Sequence, residues 1–169
     1  MTEYFHATVN IHKQGAVISV PTGSTSNAYK HAVSQGKQWV EIHLEALRNG
    51  RATDRQFAVY ASDTPANAAL FAISQNSGVT VHVYEVTPDI VNPSPMAVIG
   101  HLGTKTAAFA QLPLAIDEYW EPQMNWSFLE YPANQLTVIQ EIPLPDAIAL
   151  ASAQYAYGND CQLAKHTWP

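Results

Sequence analysis

The chain has 169 residues, 47% hydrophobic and only 13% charged, a balance that excludes a disordered polar segment and gives material for one core rather than two. A formal net charge of −6, with eight Lys and Arg in total, denies it the clustered basic surface that grips phosphate backbones, while leaving open an enzyme that acts on a nucleic acid. With one cysteine, Cys161, an internal disulfide is excluded, and no Cys/His pair has zinc-ligand spacing.

The opening Met1-Thr2-Glu3-Tyr4 lacks a basic stretch followed by an apolar run, and no segment approaches the length of a membrane span. The expectation is a soluble chain made in the cytoplasm, or one delivered by a signal-less secretion route. Tyr4–Asn10 reads as a first strand, with His6 and Thr8 on one face by the two-residue period. Gln14-Gly15 turns the chain, Ala16–Val20 is a short apolar run ended by Pro21, and Thr22–Asn27 is a polar loop. From Ala28 to Arg48 the pattern is helical with a break at Gln35-Gly36, and Asn49-Gly50 stops it. Arg51–Arg55 is a charged link, and its two arginines are candidates for an anionic ligand.

Phe57–Ala61 reads as a strand carrying Tyr60. Ser62 and Asp63 lead to Thr64 as helix N-cap and Pro65 at the first helical position. The helix that follows is built on Ala66, Ala68, Ala69 and Ala72 and carries Phe71, so its surface is small enough for a flat ligand to approach between Tyr60 and Phe71. The same aromatics also suit plain core packing. Asn76-Ser77-Gly78 turns into a strand at Val79–Thr87, on which His82 is a sheet-face residue. The seven histidines are dispersed without a ligand pair on one element, so no metal is expected.

Pro88–Gly103 reads as an irregular crossing. Thr104–Leu112 is weakly helical and Ile116–Trp120 a short helical turn, in a region bounded by Pro113 and Pro122. Trp126–Tyr131, a turn at Pro132-Ala133-Asn134 and the strand Gln135–Ile142 look like a hairpin. Asp146–Tyr155 reads as a helix, followed by a flexible tail from about 156. There are no repeats and no boundary, so residues 1–169 form a single domain.

His6, Tyr60 and Glu130, in that order, resemble the ADP-ribosyltransferase superfamily in its His-Tyr-Glu branch, which includes diphtheria toxin and the poly(ADP-ribose) polymerases. The resemblance spans roughly Tyr4 to Ile142. It is carried by FHAT on the first strand, similar to the family's His-Gly-Thr/Ser, by the VYAS strand with a second aromatic about three helical turns later, and by FLEY late in the chain. RATDRQFAVYASD, EYW at Glu118–Trp120 and FLEYPANQLTVI also resemble small bacterial members. The fold implied is α+β, two small β-sheets around an NAD cleft with flanking helices.

The resemblance also implies roles. His6 would hydrogen-bond the adenine-side ribose. The backbone of Ala7 with the hydroxyl of Thr8 would hold the nicotinamide amide, and Tyr60 and Phe71 would sandwich its ring. Ser62 joins the cofactor-binding set, and Arg51 and Arg55 could reach the pyrophosphate. Ala7 stands where the family prefers Gly, and Phe71 where it often has Tyr; a backbone contact and a ring face survive both changes.

Glu130 is the expected catalytic carboxylate. Breaking the nicotinamide–ribose bond builds positive charge on the sugar, which a carboxylate near the 2-hydroxyl stabilises most in the transition state. A rival register puts Gln135 in that place. The activity implied is transfer of ADP-ribose from NAD to an acceptor, a protein or small molecule rather than a nucleic acid, as a toxin or effector with a neutralising partner among the expectations. The alternatives are a degenerate member that binds NAD or a partner without chemistry, and an ordinary α+β protein with no NAD site.

Overall fold

Short runs of β-branched and aromatic residues become seven strands among the described residues: β1 (Tyr4–Thr8), β2 (Val17–Ser19), β3 (Val59–Ser62), β4 (His82–Pro88), β5 (Ser94–Pro95), β6 (Leu129–Ala133) and β7 (Gln135–Ile142). The computed structural model describes residues 2–51 and 53–169; Met1 and, in the Arg51–Arg55 link, Ala52 lie outside them. Six helices complete an α+β protein: α1 (Asn27–Ser34), α2 (Gln38–Ala46), α3 (Pro65–Gln75), α4 (Met96–Leu102), α5 (Leu112–Trp120) and α6 (Ala147–Thr167). None is long and apolar enough to cross a membrane.

Instead of two separate sheets, the strands join in one antiparallel ladder, β2-β7-β4-β1-β3-β6-β5. The ladder has a waist. β1 pairs with β4 over Tyr4–Thr8, and β3 with β6 over Val59–Ser62, but β1 meets β3 only through Phe5 and Ser62. Continuing that register would set Ala7 opposite Tyr60. The His6 side chain intervenes, its Nδ1 lying 2.7 Å from the Tyr60 carbonyl oxygen. A side chain thus satisfies a backbone acceptor where the strands part.

The expected hairpin does not form. β6 pairs with β3 and β5, while β7 pairs with β2 and β4, so the chain crosses the waist between them at Asn134. Asp89 holds this junction: Oδ1 accepts from the Asn134 and Gln135 amides at 3.0 and 3.1 Å, and Oδ2 from Asn134 Nδ2 at 3.0 Å. A long-range carboxylate therefore does what a hairpin turn would do locally.

The helix boundaries follow their capping chemistry. Gly36, at φ 67°, separates α1 from α2, as its sequence position suggests. Ser26 and Thr64 cap α1 and α3 by accepting from Tyr29 and Asn67 amides. Pro113 stands in the first turn of α5, where its missing N–H costs nothing, and of the Thr104–Leu112 stretch expected to be helical only Leu112 is in a helix. The Pro88–Gly103 crossing contains β5 and α4.

The final segment also departs from expectation, since α6 continues to Thr167. Its buried positions are Ala153, Asp160 and Ala164, too small or too polar to mark an apolar stripe. The indole of Trp168 stacks on Trp126 with ring centroids 6.3 Å apart, and its carbonyl oxygen lies 2.6 Å from His101 Nε2, so the end of the helix is fastened to the core. That core gathers Leu44, Val98, Leu102, Ile116 and Trp120 from α2, α4 and α5. A second cluster, with Tyr84, Val86, Leu136 and Val138, fills the sheet side, and Ala69 seats α3 on Phe5 and Val83.

Candidate functional site

The parting of β1 from β3 opens a cavity of about 630 Å³ roofed by α3. His6, Ala7 and Thr8 from β1, Tyr60 and Ser62 from β3, Phe71 from α3 and Glu130 from β6 all line it. Residues selected from four separate stretches of sequence therefore converge. Gln135 does not line this cavity; it is exposed at the head of β7, paired with Ser19.

His6 is half-buried. Burial lowers its pKa from the ordinary 6.5, against the raising effect of its bond to Tyr60, and the charge of His12 lowers it further. The neutral imidazole donates from Nδ1 to the Tyr60 carbonyl, so Nε2 is left as an acceptor. A hydroxyl-bearing ligand suits that nitrogen.

Glu130 is only 7% exposed, and its carboxylate belongs to a buried polar group. Arg55 Nη1 and the Tyr119 hydroxyl, the latter at 2.6 Å, both donate to Oε1. With Oε1 so held, Oε2 is the oxygen available to the cavity. Arg55 also donates through Nε and Nη2 to the two oxygens of Glu41, at 2.8 and 3.2 Å, and through Nη1 to the Tyr119 hydroxyl. Its guanidinium carbon lies 5.1 Å from the ring centres of both Tyr60 and Tyr119, a cation–π contact on each.

Ser26 Oγ and the Tyr60 hydroxyl both donate to the Arg55 carbonyl, at 2.8 and 3.0 Å, which fixes the backbone as well. Burial alone would disfavour the Arg55 cation; the oxygens of Tyr119, Tyr60, Glu130 and Glu41 outweigh it and raise its pKa well above the usual value. Burial likewise raises the Tyr60 and Tyr119 phenols, against the lowering effect of Arg55, so both stay protonated donors.

Arg55 is therefore placed differently from the pyrophosphate contact expected of it. Its donors go to two carboxylates and a phenol, and it lines an adjoining cavity rather than the one that holds His6 and Glu130. Arg51 pairs with Asp117 at 3.0 Å and Glu121 at 3.5 Å, at the surface of α5. Two carboxylates against one guanidinium leave the buried group with one negative charge in excess beside the cavity, a setting that favours positive charge developing in a guest.

Glu41 and Tyr119 escape a reading by sequence. Tyr119 lies inside the Glu118–Trp120 stretch, which the sequence reading singles out without giving Tyr119 a task. Glu41 sits between Val40 and Leu44 on the buried face of α2, and an acid on an apolar face is the one signal available for it. Among the described residues no group of three or more His, Cys, Asp or Glu could hold a metal ion. No protein-family model, curated protein or solved structure matches this chain.

Proposed function

We propose that the protein is an NAD-dependent ADP-ribosyltransferase of the His-Tyr-Glu type, with Glu130 as its catalytic carboxylate. One observation carries this reading: His6, Ala7, Thr8, Tyr60, Ser62, Phe71 and Glu130 line a single cavity. In it, neutral His6 accepts from a ribose hydroxyl through Nε2, while Tyr60 and Phe71 offer ring surfaces to the nicotinamide. Glu130 Oε2 accepts from the 2-hydroxyl of the nicotinamide-bearing ribose. As the C1′–N bond breaks, its electron pair leaves with nicotinamide, the excess negative charge of the Glu41–Arg55–Glu130 group stabilises the positive charge left on the sugar, and the acceptor nucleophile, or water where no acceptor is present, bonds to C1′ and gives up its proton.

The test is nicotinamide release from NAD by the wild type, Glu130→Ala and Gln135→Ala. Release lost in Glu130→Ala and retained in Gln135→Ala is expected; equal turnover in wild type and Glu130→Ala overturns the assignment. The tether of Glu130 to Arg55 and Tyr119 favours a second reading, an NAD-binding protein whose carboxylate is committed to its own ion cluster. That reading predicts a rise in Tm with NAD and no release.

A further inference from the structure

A second cavity, of about 570 Å³, lies among α1, α2, α3, α4 and α6 and adjoins the first through shared lining residues Ala28, Phe71, Gln75 and Met96. Its volume falls in the range of small-molecule sites. We infer that it is a separate binding site for a flat, largely apolar aromatic molecule bearing one anionic or hydrogen-bond-accepting group at its outer end. This inference does not rest on the NAD reading.

The apolar part follows from the walls. Phe71 and Tyr157 meet edge to face, with ring centroids 5.5 Å apart and planes at 84°, and so form an aromatic corner. Such a corner offers a flat guest one ring face and one ring edge, the two arrangements aromatic pairs prefer. Met96 and Ile99 from α4 and Val40 from α2 continue the apolar surface, and the thioether adapts to irregular shapes. Gly100 gives the phenol its room. A Cβ there would stand 2.8 Å from the Tyr157 hydroxyl oxygen, so any side chain at this position would push the phenol aside from where it lies across α4.

The polar end follows from the charges. Glu41 lines the cavity, but both its oxygens accept from Arg55, so neither is free to accept from a guest, and the excess negative charge of the buried group turns an anionic end away from this floor toward the mouth. Exposed His31 and Lys37 also line it. The exposed Lys37 runs beside Gly103, where a Cβ would stand 3.1 Å from Cδ and 3.2 Å from Nζ, so the bare glycine leaves room for its stem along the cavity wall. A guest with its apolar body on Phe71 and Tyr157 therefore presents its far end to a cation, and a cationic guest meets repulsion there.

The experiment is a fluorescence titration of the full chain with anilinonaphthalenesulfonate, a flat aromatic anion, against Ala32→Trp and Ser74→Trp. Both positions line this cavity and not the first. Ser74 is exposed on α3, so its replacement leaves the core intact if Ala32→Trp fails to fold. Saturable one-to-one binding, weakened at least about tenfold by either tryptophan, about threefold by Lys37→Glu and unchanged by Ala72→Trp in the first cavity, is the expected result. Absence of saturable binding, or binding indifferent to both tryptophans, overturns the proposal. So does an Ala32→Trp variant that loses NAD-induced thermal stabilisation together with the probe, which would make this cavity one end of the nucleotide's own seat. The titration needs no NAD, so a failure of the NAD reading leaves its result interpretable.

Discussion

Glu118 and Glu130 are buried to nearly the same degree, 9% and 7% exposed, yet they are held in opposite ways. Glu118 Oε1 accepts from the Gln123 amide at 2.9 Å, the Met124 amide at 2.8 Å and the Trp126 indole at 2.8 Å, closing the loop that leaves α5. Asp160 does similar work from α6, accepting from the Ser127 and Phe128 amides. These donors are neutral and local to the loop, and neither acid lines either cavity. Glu130 instead takes an arginine and a phenol from distant elements and keeps one oxygen beside a cavity. Burial of a carboxylate thus says little about its task. The charge of its donors and the space beside its second oxygen say more.

The sharpest way to break this contrast is Arg55→Met, which leaves two buried carboxylates without their cation and should cost about 3–5 kcal/mol in urea denaturation. Adding Glu41→Gln should recover part of that loss, since it removes the uncompensated charge. A double variant no more stable than Arg55→Met would show that Glu41 is not a partner in the charge balance.

Glu118→Ala should cost about 2 kcal/mol, because it strands the buried Trp126 indole N–H and takes the acceptor from two loop amides, while under the proposed activity nicotinamide release per folded molecule stays unchanged. A fall in release at full folding would erase the distinction between the two acids. Tyr119→Phe removes one hydroxyl donor from Glu130 and should cost about 1 kcal/mol, read from the denaturation midpoint.

The smallest effect is the pH dependence carried by His6. Burial lowers its folded pKa below 6.5, so the folded state binds fewer protons than the unfolded chain near that pH. Its contribution is whole above pH 6.5 and is lost as the pH falls through 6.5 toward the folded value. Between pH 7 and 5 the Tm of the wild type should therefore fall more than that of His6→Asn. Equal falls would mean that His6 is not the half-buried neutral imidazole described above.

Much of the local structure can be read from neighbouring residues. The break at Gly36, the Thr64-Pro65 helix start and the β-branched run of β4 depend on caps, turns and periodicity acting over a few positions. The convergence of His6, Tyr60, Phe71 and Glu130 was implied only by the family resemblance that their order suggests; their types and spacing alone suit ordinary strand and core positions. The hairpin fails because local patterning of β6 and β7 is the same whether they pair with each other or with different partners. The end of α6 escapes because its buried alanines and Asp160 do not form an apolar stripe.

The sequence by itself determined the order of most elements, because capping, proline geometry and side-chain alternation are short-range, but not β5, α4 or the second half of α6. Only the tertiary structure decided the waist in the sheet, the crossing at Asn134 and the partners of Arg55. Those partners lie 14, 64 and 75 positions away, at Glu41, Tyr119 and Glu130. Contacts over such separations depend on how the strands register and on which helix covers them. A buried arginine with nowhere to lose its charge then takes whatever carboxylates the fold brings within reach.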